Sequence, residues 1–312
     1  MIGSTLGCGI DTGTNTVRIL IAEVADGRIV KEIYSGREIT RLGAGLTRTG
    51  KLSSEGAAKT LELFRHFKKI TDRYNVKHIL AAATSAVREA SDSEKFISEA
   101  ISVGIPLVTI SGEEEANYIY KGVISNTPDL RENTLIYDIG GGSTEIICVR
   151  RGDLRFVKSI PVGVVKLADR FNFKRALQPE TLDKCSAYIN SLLKPVFDEL
   201  HYILGGNYPS VYIGTAGTVT TIAAVDMEMD IYDPDIINNH ILTNNRLSLI
   251  NKKLSRLTAD ERLAVKGLER GREDILIPGI LIVEEILRIA GCDRSSVSDN
   301  GLREGLTIAS VD

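Results

Sequence analysis

The sequence predicts an α/β protein of two domains, each a mixed sheet flanked by helices. Three observations carry this. Strand-like stretches alternate with helix-like ones, as in layered α/β cores. A trio of strands at the start of the chain returns from Thr134 onward, with a glycine-rich turn in the same place. The length of 312 residues suffices for two cores of the usual ~100–200 residues each.

In the first half, Leu6–Gly13, Thr16–Val24 and Arg28–Ile39 read as strands, the last two joined by Asp26-Gly27. Ser53, with Ser54 and Glu55 after it, opens a helix that Leu61, Phe64, Phe67 and Ile70 continue at helical spacing. Lys77–Ala83 is expected as a strand, Ser91–Val103 as a helix, Pro106–Ile110 as a strand and Gly112–Ile124 as a helix. A polar connector, Asn126-Thr127-Pro128-Asp129, places a hinge at residues 125–131. The second trio is Thr134–Ile139, Thr144–Arg150 and Leu154–Pro161. It is followed by a long helix over Pro179–Leu204, a strand at Ser210–Gly214 and a helix at Thr218–Val225. Arg246–Ile289 is expected to be mostly helical, before a short strand at Ser295–Ser298 and a last helix at Gly301–Ala309.

The two turns carry the chemistry. The first runs Asp11-Thr12-Gly13-Thr14-Asn15-Thr16 and the second Asp138-Ile139-Gly140-Gly141-Gly142-Ser143-Thr144. Glycine lets backbone N–H groups converge on an anion, and the hydroxyls of Thr14, Thr16, Ser143 and Thr144 add donors. An aspartate before each turn can hold a hydrated divalent cation beside the same phosphate. Two such turns of matching layout read as duplicated lobes with a phosphorylated ligand in the cleft between them.

Composition excludes several classes. A net charge of −3 argues against a broad basic surface for nucleic acid or polyphosphate, so any polyanion must be met by a local cluster of cations and backbone donors. No run of ~18 apolar residues would span a membrane, and Ile275–Ile289 is cut by Pro278, Glu284, Glu285 and Arg288. The N-terminus lacks a secretory pattern, and four scattered cysteines suit a reducing cytoplasm. His66, His78, His201 and His240 are too dispersed for a His-rich metal centre.

The paired turns resemble the actin-like (ribonuclease H-like) phosphotransferase superfamily. Thr84-Ser85-Ala86-Val87-Arg88, Ile110–Ala116, Gly214-Thr215-Ala216-Gly217-Thr218 and Val297–Gly305 narrow the resemblance to the exopolyphosphatase / guanosine pentaphosphate phosphohydrolase (Ppx/GppA) family. The resemblance implies two actin-like domains: residues 1–124 completed by 299–312, and 125–298. With its last residue at Asp312 the chain reads as the short, two-domain form.

For the site, the resemblance implies Glu115 as general base, because it precedes Ala116 as the family's catalytic glutamate precedes the alanine of its Gly-x-Glu-Glu-Ala motif. Position alone gives all three of Glu113, Glu114 and Glu115 to helix capping or solvation. Arg88 is implied as a cation lining the cleft beside it. Asp138 and Glu145 are implied as helpers of Mg²⁺ or Mn²⁺ binding, and Asp11 joins them through its matched placement. Phosphate contacts are expected from Thr12, Gly13, Thr14, Asn15, Thr16 and Arg18 in the first turn and Gly140, Gly141, Gly142, Ser143 and Thr144 in the second. Gly214, Gly217, Thr218 and Arg272 complete the set, while Arg303 matches a family position without an assigned role.

The implied activity is removal of the terminal phosphate from inorganic polyphosphate or guanosine pentaphosphate. No nucleic acid or membrane partner is expected; a homodimer is allowed. An actin-like kinase using ATP, or a binding protein without turnover, are the alternatives.

Overall fold

In the computed structural model, which describes residues 3–126 and 133–312, the chain divides into unit 1 (Met1–Asp129 with Asn300–Asp312) and unit 2 (Leu130–Asp299). Of the hinge expected at 125–131, residues 127–131 lie outside the described residues.

Unit 1 is built on β1 (Thr5–Thr12), whose Cys8 and Ile10 are fully buried. β2 (Thr16–Ala25) pairs antiparallel with it, and β3 (Arg28–Ile39) antiparallel with β2. On the other side β4 (His78–Ala83) and β5 (Leu107–Thr109) run parallel to β1, giving the order β3-β2-β1-β4-β5. The helices are α1 (Leu46–Thr49), α2 (Ser54–Arg73), α3 (Ser85–Glu89), α4 (Ser93–Ser102) and α5 (Gly112–Asn126). Ser53 caps α2 by accepting the Gly56 N–H at 3.2 Å, and α2 buries Phe64 and Phe67 against the sheet's core residues Ile10, Ile19 and Ala81. The helix expected over Ser91–Val103 begins at Ser93. A separate turn of helix, α3, precedes it because Ala90 is extended (ψ 135°) and breaks the ladder. The closing helix, Leu302–Ala309, returns to unit 1 and packs on β1 and α5. Bare glycines allow that approach: a Cβ on Gly122 would lie 1.9 Å from the Gly301 carbonyl oxygen.

Unit 2 repeats the plan. β6 (Asn133–Ile139), β7 (Thr144–Arg150) and β8 (Asp153–Ile160) pair antiparallel in sequence. β9 (Val211–Thr215) lies parallel to β6, and β10 (Ile241–Thr243) and β11 (Arg294–Val297) complete the order β10-β11-β9-β6-β7-β8. Helices α6 (Val164–Phe171), α7 (Pro179–Ile203), α8 (Ala216–Asp226), α9 (Pro234–Ile237), α10 (Asn244–Ser255), α11 (Ala259–Arg262) and α12 (Leu276–Ala290) surround it.

Several elements here depart from expectation. α6, α9 and β10 are absent from the expected elements; α9 and β10 carry too few residues to show a period, whereas α6 does set Val164, Val165, Leu167 and Phe171 toward the core. The stretch Arg246–Ile289 is three helices, with residues 263–275 in turns between α11 and α12. Arg262 explains the break. Fully buried, it donates to the carbonyls of Phe173 at 2.6 Å, Leu257 at 2.7 Å, Leu254 at 3.0 Å and Glu273 at 3.0 Å, pinning loops where a continuous helix would otherwise run. Pro278 sits in the first turn of α12, where its missing N–H has no helical partner to lose. Among the described residues, no helix is long and apolar enough to cross a membrane.

Candidate active site

In unit 1 the antiparallel register sets Asp11 opposite Arg18 and Thr12 opposite Val17. The turn closes with the Gly13 N–H donating to the Thr16 carbonyl at 3.1 Å. Its own carbonyls are taken up by the following loop. Thr14 accepts from the Gly43 N–H at 2.8 Å, and Asn15 from the Thr40 and Arg41 N–H groups at 3.0 Å each. The Thr12 hydroxyl, on a residue 1% exposed, has no hydrogen-bond partner among the described residues. A buried hydroxyl left that way costs about 1–3 kcal/mol, a deficit that a ligand oxygen or water would remove. Burial pushes the Asp11 carboxyl up to about 6; Arg18 opposes this, Glu304 adds to it and Arg303 opposes it.

The glutamate run divides by direction. Ser111 and Glu114 form a capping box: the Ser111 N–H donates to Glu114 Oε2 at 2.8 Å, and the Glu114 N–H to Ser111 Oγ at 3.2 Å. Those bonds hold the exposed Glu114 carboxyl below the usual range. Glu113 is also exposed. Glu115, one position on, is 6% exposed and meets Arg88, whose Nη1 donates to Glu115 Oε2 at 3.2 Å and to the Ile110 carbonyl at 2.8 Å. Strand β4 delivers Arg88 through Thr84, whose N–H bonds the Thr12 carbonyl at 3.2 Å. Glu115, Arg88 and the first turn are therefore tied into one framework.

In unit 2 the second turn has the same closure, Gly140 N–H to the Ser143 carbonyl at 3.0 Å. Here α6 holds it: the Val164 and Val165 N–H groups donate to the carbonyls of Gly140 at 3.1 Å and Gly141 at 2.8 Å. Asp138 stands opposite Glu145 across the β6–β7 pair, at 7% and 0% exposure. Glu145 Oε1 accepts from Ser159 Oγ at 2.7 Å. Thr144, expected as a phosphate donor, is fully buried and donates its hydroxyl to the Val162 carbonyl at 2.7 Å.

The third turn departs further. Gly214 is forced by packing, since a Cβ there would lie 2.6 Å from the Tyr137 ring on the adjacent strand. Thr218 is 4% exposed, and its methyl occupies the space over Gly279. Gly217 is buried, its carbonyl accepting the Thr221 hydroxyl at 2.6 Å. Ala216 holds φ at +71°, a left-handed conformation that costs a non-glycine residue of order 1–3 kcal/mol and concentrates at functional turns. Arg272 is 3% exposed, with Nε on Glu269 Oε2 at 2.9 Å. Sequence reasoning passed over Glu304 and Ser159. Only Glu304 had a local signal, three residues after Gly301 at a helix start, where it accepts the Gly301 N–H at 2.8 Å.

Asp138 and Glu145 are the donors that a divalent metal would use at the second turn. Like charges directly opposite on adjacent strands repel, and a cation relieves that. Magnesium asks for few carboxylates, keeping waters and phosphate oxygens as its other ligands. No group of three or more His, Cys, Asp or Glu side chains able to hold a metal occurs among the described residues.

Two mixed sheets of the same strand plan, each with an aspartate-opened glycine turn, define an actin-like α/β protein. The Ppx/GppA phosphatase family matches residues 20–312, and the chain belongs to that family. A bifunctional 3-dehydroquinate synthase/phosphatase of Fusobacterium nucleatum is 33% identical over 98% of this chain, which spans 47% of that relative's length. Exopolyphosphatase 2 of Mycobacterium tuberculosis is 27% identical, covering 96% of this chain and 97% of its own. The solved structure of the Aquifex aeolicus Ppx/GppA family member agrees with a TM-score of 0.82 at 28% identity, over 99% of this chain and 98% of that one.

Proposed function

We propose that the protein hydrolyses the terminal phosphoanhydride of inorganic polyphosphate. The observation that carries this reading is the Arg88–Glu115 pair. One carboxylate of an acidic run is buried and fixed by a guanidinium while its neighbours face solvent. Glu115 takes a proton from a water, whose oxygen bonds to the terminal phosphorus as the bridging P–O bond breaks and the shortened chain leaves. Arg88 fixes the direction of Glu115, and the turn amides with Arg18 hold phosphate oxygens. Mg²⁺ or Mn²⁺, held by Asp138 and Glu145, with Asp11 the corresponding carboxylate of unit 1, would offset phosphate charge.

Guanosine pentaphosphate offers the same terminal group. Polyphosphate ranks first because a full-length relative is named an exopolyphosphatase, and because a chain with no Trp and 5% aromatics has little to stack a purine. Phosphate release from polyphosphate, guanosine pentaphosphate and ATP, measured side by side with Mg²⁺, tests the reading. The highest kcat/KM is expected on polyphosphate. A preference for the guanosine compound reverses the substrate order, and turnover of ATP alone overturns the reading.

A further inference from the structure

Arg18, assigned above to phosphate oxygens, has a second cation beside it that the proposed chemistry leaves unused. In the β2–β3 pair Arg18 stands directly opposite Arg37, just as it stands opposite Asp11 in the β1–β2 pair. Residues directly opposite on adjacent strands project from the same face of a sheet, their Cβ atoms about 4.5–5.5 Å apart. Three neighbouring strands therefore present acid, base and base in one row, at the end of the sheet that carries the first turn. Thr16, two residues before Arg18, lies on that face as well and pairs with Ile39. Arg18 is half-buried and Arg37 is exposed, so the row runs outward from the turn to the sheet edge, where β3 is the last strand.

The row is fixed to the turn. Beyond Ile39 the chain comes back to it, the Thr40 and Arg41 N–H groups donating to the Asn15 carbonyl at 3.0 Å each. Lys59 Nζ holds the same end of β3 through the Ile39 carbonyl at 2.6 Å. Charge is sorted between the two faces. Glu38, next to Arg37 in sequence, stands opposite Val17 on the other face, where Lys59 Nζ pairs with it at 2.8 Å. Two arginines directly opposite each other repel and weaken a strand pair. An edge strand does need charge to discourage pairing with a second sheet, and Arg28, Lys31 and Glu32 supply it further along β3. Setting Arg37 against Arg18 adds a repulsion that this protection does not require. An anion seated across both guanidinium groups would remove it.

We propose that Arg37 extends the phosphate grip of the first turn into a second cationic subsite, which takes phosphates further along the chain than the one removed and so favours long polyphosphate over short. Its consequence for turnover rests on the hydrolase reading; the cation row itself rests on strand register. The test uses the full chain carrying Glu115→Gln, so that bound polyphosphate is not consumed, and reads binding by calorimetry. Adding Arg37→Met is expected to raise the Kd of long-chain polyphosphate roughly 3–5-fold and to leave that of pyrophosphate unchanged. Long-chain binding should also depend less steeply on salt, because one cation fewer displaces counterions. Arg28→Met, the same change of charge at the far end of β3, should alter neither. Arg37→Lys should recover part of the affinity, since an ammonium keeps the attraction without the fork. An unchanged Kd for the long chain overturns the proposal. Equal losses on both ligands, or a loss matched by Arg28→Met, mean a diffuse effect of charge and overturn it as well. With Glu115 restored, Arg37→Met should raise KM for the long chain while kcat stays the same. Absence of any phosphate release by the wild-type enzyme sinks the hydrolase reading, while the calorimetric comparison of the two ligands still decides the subsite.

Discussion

The first and second turns share a backbone and differ in charge. The order β3-β2-β1-β4-β5 in unit 1 matches β8-β7-β6-β9-β11 in unit 2, and each turn closes with the same glycine N–H bond. At the equivalent cross-strand position, however, Asp11 faces Arg18, whereas Asp138 faces Glu145. One turn sets an acid opposite a cation; the other sets two acids opposite each other. Under the proposed function, the first turn would take phosphate oxygens and the second a divalent cation. The supports differ as well: a loop at residues 40–43 holds the first turn, and the N-terminus of α6 holds the second.

The largest expected effect lies in unit 1, which carries the proposed base. Glu115→Gln should lower kcat on the order of 10²–10⁴-fold with KM little changed. Glu114→Gln keeps an oxygen able to accept the Ser111 N–H and should leave stability and turnover nearly intact. The reverse pattern, read from steady-state kinetics and thermal melts, would move the base by one residue.

The charge difference between the turns gives the next test. Glu145→Gln should raise the Mg²⁺ concentration for half-maximal rate about 10-fold. Arg18→Met should leave that concentration unchanged and raise KM for polyphosphate about 10-fold. Identical responses of the two variants to magnesium would erase the division of labour.

A third effect is on stability. The Asp11 carboxyl is pushed up to about 6 in the folded chain, above its ordinary value of 3.8. Between those values the folded state binds the extra proton, so its stability falls as pH rises through that window; above about 6 the full cost of the buried charge is present. Asp11→Asn, in metal-free buffer, should therefore raise Tm at pH 8 by an amount equivalent to at most about 3 kcal/mol and change it little at pH 4. Equal Tm values for variant and parent at pH 8 would contradict the burial argument.

The smallest effect again separates the turns. Thr144→Val deprives the buried Val162 carbonyl of its donor and should cost about 1–3 kcal/mol by denaturation. Thr12→Val, whose parent hydroxyl is unpartnered among the described residues, should be neutral or slightly stabilising without ligand. Its penalty should appear only as a higher KM.

What the sequence by itself determined was local. The two strand trios, the aspartate-opened turns and α2 with its Ser53 cap follow from residue type and spacing within a few positions, where backbone preference and burial period act directly. Family motifs added Glu115 and Arg88. Tertiary structure decided what each side chain touches. Glu113, Glu114 and Glu115 are chemically identical, and only the helix's rotation against Arg88 buries one of them. Thr12 and Thr144 both border a turn, yet one hydroxyl is unpartnered while the other is taken by Val162. Gly214 is small because Tyr137 crosses it, and Arg272 pairs with Glu269 inside the fold. Arg303 and Glu304 come near the first strand only because the end of the chain packs on it. Contacts between residues far apart in sequence depend on packing that no short window of residues encodes.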